Sequence, residues 1–122
     1  GIKDQAASGT GEITAVEVGL AAGRGDREAL WILQKAAWAL GLGVSTVINM
    51  LNPSCVILGG GVMSMGGLMW DDIMKATGEY TLEANLSDVQ VTLAGLGERA
   101  GVLGAVALAI GTVTKRRNHL YD

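Results

Sequence analysis

The sequence predicts an α/β layered fold in the order helix, helix, strand, helix, strand, helix. Three observations carry this. A long segment from Asp26 has apolar residues at helical spacing. Two short apolar or β-rich runs, Cys55-Val56-Ile57-Leu58 and Val89-Gln90-Val91-Thr92-Leu93, are bounded by glycines. Helical patterns separate and follow those runs, and strands alternating with helices imply parallel pairing.

Residues 1–12, rich in Ser, Gly and Thr, read as loop. Thr14-Ala15-Val16-Glu17 has the spacing of a capping box, opening a short helix that Gly23 ends. Asp26 starts the second helix. Its apolar positions, Leu30, Leu33, Ala37, Leu40, Val44, Val47 and Leu51, alternate in steps of three and four and form one buried stripe. Gly41 and Gly43 interrupt it where a neighbour comes close. Asn52-Pro53 ends it, because the residue before Pro is pushed out of the helical region.

Cys55 to Leu58 is a continuous apolar run between turn signals, the pattern of a strand buried on both faces. Cys55 within it reads as a small buried hydrophobe. Gly59-Gly60-Gly61 follows directly. A third helix begins near Gly67 or Leu68 and runs through Trp70, Ile73 and Met74 toward Gly78. Residues 79–87 match no pattern. Val89 to Leu93 alternates as a second strand. Gly95-Leu96-Gly97 turns the chain into a last helix, Glu98 to about Ile110, apolar on most sides and therefore expected to be buried. Two strands leave a sheet with exposed apolar faces, so three or more further strands must come from elsewhere. The chain reads as 1–122 of a single partial domain.

Composition narrows the function. The 122 residues are 49% hydrophobic and 17% charged, which builds a core. Glycine, at 19 residues, is about twice its usual ~7% share, with no collagen-like period. Net charge −3, no Phe and 4% aromatics argue against direct nucleic-acid contact. One Cys and one His, Cys55 and His119, allow no internal disulfide and no Cys/His zinc site. His119 lies three residues from the end, a poor place for a triad. The longest apolar run, Ala100 to Val113, is shorter than the ~20 residues of a membrane span. Lys115-Arg116-Arg117 after it suits a helix C-terminus as well as a positive-inside flank. A start at Gly1, with neither Met nor signal peptide, suggests a processed chain or a fragment, with the cytoplasm as its compartment.

Gly59-Gly60-Gly61 stands at the carboxyl end of a strand, where open α/β sheets bind ligands. Three residues without Cβ expose backbone against which a flat ring can lie; a plain strand-to-helix turn needs the same residues. Gly95-Leu96-Gly97-Glu98-Arg99-Ala100 matches a dinucleotide fingerprint, G-x-G-x-x-A, but no second strand with an acid follows it. Its alternative is a tight turn with Gly97-x-x-x-Gly101 packing. Asp71-Asp72 and Glu98-Arg99 read as charges at helix starts. Met63, Met65 and Met69 read as core filling. No Gly-Lys-Ser/Thr phosphate loop occurs.

Taken in order, several pieces resemble the C-terminal part of the ROK family, named for repressors, open reading frames and sugar kinases. They are Ile13 to Val18, Ala22 to Asp26, Leu40-Gly41-Leu42-Gly43, Asn49 to Pro53, Cys55 to Gly61 and Leu96 to Ala105. The resemblance covers roughly residues 12–112 and leaves 113–122 as a basic tail. It implies part of the C-terminal lobe of an actin-like (ribonuclease H-like), two-lobed ATPase fold. It further implies that Gly59, Gly60 and Gly61 form the adenosine-binding motif. The family's catalytic aspartate, first phosphate loop, sugar-contacting Glu-x-Gly-His and zinc motif have no counterpart in these residues, so no catalytic or metal residue is assigned.

The expected function is the adenosine-binding segment of an ATP-dependent sugar kinase, acting with magnesium on a hexose or N-acetylhexosamine. The alternative is the sugar-sensing lobe of a transcriptional repressor. Nucleotide and sugar are the expected ligands of the intact protein. A homo-oligomer or a missing N-terminal portion is expected to cover the exposed faces, without membrane contact.

Overall fold

The computed structural model describes residues 13–118. The loop expected over 1–12, and His119, lie outside the described residues. Helix α1 spans Ala15–Gly23, with Thr14 as its N-cap. The Glu17 N–H donates to Thr14 Oγ1 at 3.3 Å, and the Thr14 N–H donates to Glu17 Oε2 at 2.7 Å, completing the predicted capping box. Those bonds from the Thr14 backbone and hydroxyl hold the Glu17 carboxyl below its ordinary pKa. The chain then turns at Gly25, where φ is +86°.

Helix α2, Arg27–Leu51, is capped by Asp26, whose Oδ1 accepts from the Glu28 and Ala29 amides at 3.0 Å each. Asn52 ends it in the left-handed region, φ 43° and ψ 54°, a conformation asparagine tolerates better than most residues. The helix is long and apolar enough to cross a membrane by length and composition alone. Its buried stripe marks it as a core helix of this fold.

That stripe differs from the predicted one. The buried positions are Ala29, Leu33, Ala37, Gly41, Val44, Ser45 and Ile48, mostly in steps of four. Leu51, expected inside, is 71% exposed. The small residues in the four-step ridge let a neighbour approach closely, and the helix turns that ridge inward. The neighbour is helix α3, Gly66–Tyr80, which starts close to its predicted onset.

At the crossing of α2 and α3, a Cβ on Gly41 would lie 2.5 Å from the Ile73 carbonyl oxygen and 2.6 Å from Ala76 Cβ. The buried Thr77 hydroxyl donates to the Gly41 carbonyl across the same contact, at 3.3 Å. Gly43, in contrast to expectation, has nothing within 4 Å of its Cβ position. Asn49 makes a second clasp. Its Nδ2 donates to the Tyr80 carbonyl and its Oδ1 accepts from the Leu82 N–H, both at 2.9 Å. One side-chain amide thus satisfies two backbone groups at the C-terminal end of α3.

Strand β1, Cys55–Leu58, pairs in parallel with β2, Gln90–Leu93, in the register Cys55↔Gln90 to Leu58↔Leu93. A 3₁₀ turn at Gly61–Met65, α3 and the short α4, Glu83–Leu86, form the crossover. Helix α4 occupies the stretch that carried no sequence pattern. A second 3₁₀ turn, Gly97–Arg99, leads into α5, Ala100–Asn118.

Three burial expectations fail here. β1 alternates exposed and half-buried residues, Cys55 is exposed, and α5 is exposed from residue 100 through 112. All three have one cause. A two-stranded sheet has no second layer to cover both faces, and the apolar runs of β1 and α5 are left without the neighbours they are written for. The core instead lies among α1, α2 and α3, where Ala29, Ala37, Ile48, Ile73 and Ala76 are fully buried. Met69 joins it, with Met63 and Met65 packed at its edge, as predicted.

Gly41→Val should lower stability in urea unfolding by about 1–3 kcal/mol through overpacking. Gly43→Ala, with open space, should be neutral or stabilising by about 1 kcal/mol. Equal effects would contradict the crossing. The isolated 122-residue chain should self-associate in sedimentation runs, because Val102, Leu108 and Ile57 are each more than 60% exposed. A monodisperse monomer with a cooperative melt would contradict this.

Candidate functional site

Because β1 and β2 are parallel, their carboxyl ends meet at one edge of the sheet. Beyond Leu58 the chain passes through Gly59 and Gly60 into the first 3₁₀ turn; beyond Leu93 it passes through Ala94 to Gly97 into the second. The Ala94 N–H donates to the Leu58 carbonyl at 2.8 Å and carries the pairing one residue past both strands. Between the two turns lies a cleft of about 130 Å³. The exit of β1 lines one side of it with Leu58, Gly59 and Gly60, the exit of β2 the other with Leu93, Ala94 and Gly97, and Met63 with Ser64 of the first turn complete the lining.

The glycines have separable reasons. A Cβ on Gly59 would come within 3.2 Å of Ala94 Cβ, so this residue permits the walls to approach. Gly60 has φ 99° and ψ 171°, a backbone conformation essentially confined to glycine. Gly97, at φ +52°, turns the opposite wall. Gly61 has neither a positive φ nor an atom within 4 Å of its Cβ position, and it begins the 3₁₀ turn without lining the cleft. Two of the three predicted site glycines therefore line the cleft directly.

Among the described residues, no charged side chain lines the cleft and no cluster of metal-ligating side chains occurs. Asp71 and Asp72 sit in the second turn of α3, not at its start. The Gly95–Ala100 fingerprint does follow a strand and open a helix, but that helix runs to Asn118 with no further strand among the described residues. Gly101 has nothing packed on it. Its segment instead supplies the second wall, which a reading of either loop alone misses. A larger open groove of about 430 Å³, between α1 and the start of α3, is lined by apolar groups such as Val16, Leu20 and Leu68, with Ser64 shared between the two.

The fold matches known structures. The chain aligns with a candidate sugar kinase from Cytophaga hutchinsonii at TM-score 0.69 and 23% identity, over 81% of this chain and 33% of the other. A ROK family transcriptional regulator, homologous to the E. coli MLC protein, aligns at TM-score 0.61 and 25% identity, over 69% of this chain and 21% of the regulator. The architecture is that of a partial actin-like lobe.

Sequence relatives divide the same way. A glucokinase of Thermotoga maritima is 33% identical over 72% of this chain, and one of Halalkalibacterium halodurans 33% identical over 77%. A xylose repressor of Caldicellulosiruptor bescii is 28% identical over 81% of the chain. The chain spans 28% of the length of either glucokinase and 25% of the repressor. The ROK family profile matches residues 1–112. With order, spacing and fold in agreement, the chain belongs to the ROK family.

Proposed function

We propose that this chain is the adenosine-binding C-terminal segment of an ATP-dependent sugar kinase, with Gly59, Gly60 and Gly61 beside the nucleotide. The observation that supports it most directly is the cleft at the strand carboxyl ends, walled on both sides by residues with little or no side chain. Its size and lining suit the base. At about 130 Å³ it is well below the ~300 Å³ at which whole-ligand pockets begin, and its lining, with Leu58, Leu93 and Met63, suits a flat ring. On this reading the triphosphate, with its magnesium, is held by residues outside this cleft, whose described lining carries no charged side chain. When bound, ATP supplies the transferable phosphoryl group; these residues orient the base and exclude water from it.

The intact protein, on this reading, is cytoplasmic, phosphorylates a hexose or N-acetylhexosamine, and covers the exposed faces of β1 and α5 with its remaining portion or a second copy. The xylose repressor match favours a second reading, a sugar-sensing lobe whose DNA-binding part lies elsewhere. Sugar-dependent phosphoryl transfer by the intact protein separates the two.

Ala94→Leu tests the cleft. The larger side chain fills it from a position with no backbone strain. In the intact protein it should weaken ATP binding roughly tenfold or more in calorimetric titration, with sugar affinity and melting temperature held. Unchanged ATP affinity would remove the cleft from the nucleotide site. Gly60→Val is less discriminating. Its positive φ should cost about 1–3 kcal/mol of stability and lower both affinities together. The 122-residue chain alone should transfer no phosphoryl group to any sugar, since no base stands opposite the cleft among the described residues. Measurable turnover would overturn the assignment of the lobe.

A further inference from the structure

We propose that Ser64 reads the edge of the base in this cleft and selects an amino group over a carbonyl, adenine over its 6-oxo counterpart hypoxanthine. The inference rests on the reading that the cleft takes the base. The Ser64 hydroxyl donates its single proton to the Gly61 carbonyl at 2.7 Å. What the oxygen has left is lone-pair capacity, so toward a ligand it is an acceptor.

Several other polar groups at the cleft are weak or already engaged. Met63 contributes a thioether, at most a weak acceptor. The amides of Met63, Ala94 and Gly97 are engaged, donating to the carbonyls of Gly60, Leu58 and Ala94 at 3.0, 2.8 and 3.3 Å. The side chains of Leu58 and Leu93 in the lining are apolar. Among the described residues, the side chains that line the cleft thus offer acceptors and no free donor.

A base edge carrying an exocyclic amine gains a hydrogen bond at Ser64. An edge carrying a carbonyl brings oxygen against oxygen, and it loses water without replacing it. Turning the hydroxyl to serve that carbonyl would break the 2.7 Å bond to Gly61. A neutral hydrogen bond made in one case and missing in the other corresponds to roughly five- to tenfold in affinity.

The test is calorimetric titration of the intact protein with ATP and with inosine triphosphate, in wild type, Ser64→Ala, Ser64→Thr and Ala94→Leu. Wild type should prefer ATP by roughly five- to tenfold. Ser64→Ala should bring the ratio close to one by weakening ATP alone, and Ser64→Thr, which keeps the hydroxyl, should retain the preference. A wild type without preference overturns the proposal before any variant is made. So does an unchanged ratio in Ser64→Ala when Ala94→Leu weakens both nucleotides; the base then sits in the cleft and is read elsewhere. If Ala94→Leu affects neither nucleotide, the cleft is not the base site, and the role of Ser64 fails with it.

Discussion

Parallel pairing obliges a chain to travel back the length of a strand before it can pair again, and the return must pack against the sheet or another layer. Here the return is the first 3₁₀ turn with α3 and α4. That return, which brings Leu93 into register with Leu58, is held to α2 at two places. Gly41 provides one anchor, letting the backbones of α2 and α3 touch through Ile73 and Ala76. Asn49 provides the other, holding Tyr80 and Leu82 as the chain leaves α3 for β2. Because both strands point the same way, their exits face each other, and a cleft forms between two turns that are 36 residues apart in sequence, counting from Gly61 to Gly97. Antiparallel strands would have sent those exits to opposite edges.

What could be read from the sequence divides along the range of the physics. The Thr14 and Asp26 caps, the stop at Asn52-Pro53 and the bounds of β1 are decided within a few residues, and each stands where local chemistry puts it. Which face of α2 turns inward is decided by its neighbours. The sequence pattern places Leu33, Ala37 and Val44 inside, as observed, but also points to Leu30, Leu40, Val47 and Leu51. The close crossing instead rewards small residues such as Ala29, Gly41 and Ser45. The exposure of Cys55 and α5 is a matter of missing layers, not of misread pattern. Both segments still carry the composition of buried elements.

The site shows the same division. A glycine run after an apolar strand is visible locally, and so Gly59 to Gly61 could be singled out. The opposite wall could not. Ala94 and Gly97 become part of a site only through the strand register, and the sequence around them matches a dinucleotide fingerprint that the following helix does not complete. Ser64 was harder still, since its relevance depends on which way its proton points. Even the glycines acquire different meanings in three dimensions. Gly59 serves an approach and Gly60 a dihedral angle, leaving Gly61 as the one whose lack of a side chain the described fold does not require.

On the proposed reading, the energetics of nucleotide binding are split between parts of the protein. A triphosphate carries several negative charges, and holding it needs cations, amides or metal in a water-poor setting. Among the described residues the lining of the cleft carries no charge, and the chain as a whole is itself negative, at −3. A base needs the opposite environment, a thin apolar slot and one or two oriented polar atoms. Walls made of Gly59, Gly60, Ala94 and Gly97 provide the slot at little side-chain entropy cost, since glycine and alanine have no rotamers to lose. Affinity from this segment is therefore modest, and its contribution is positional. By fixing one end of a long ligand against rigid strand ends, it sets where the reactive phosphate must fall in the neighbouring part of the protein.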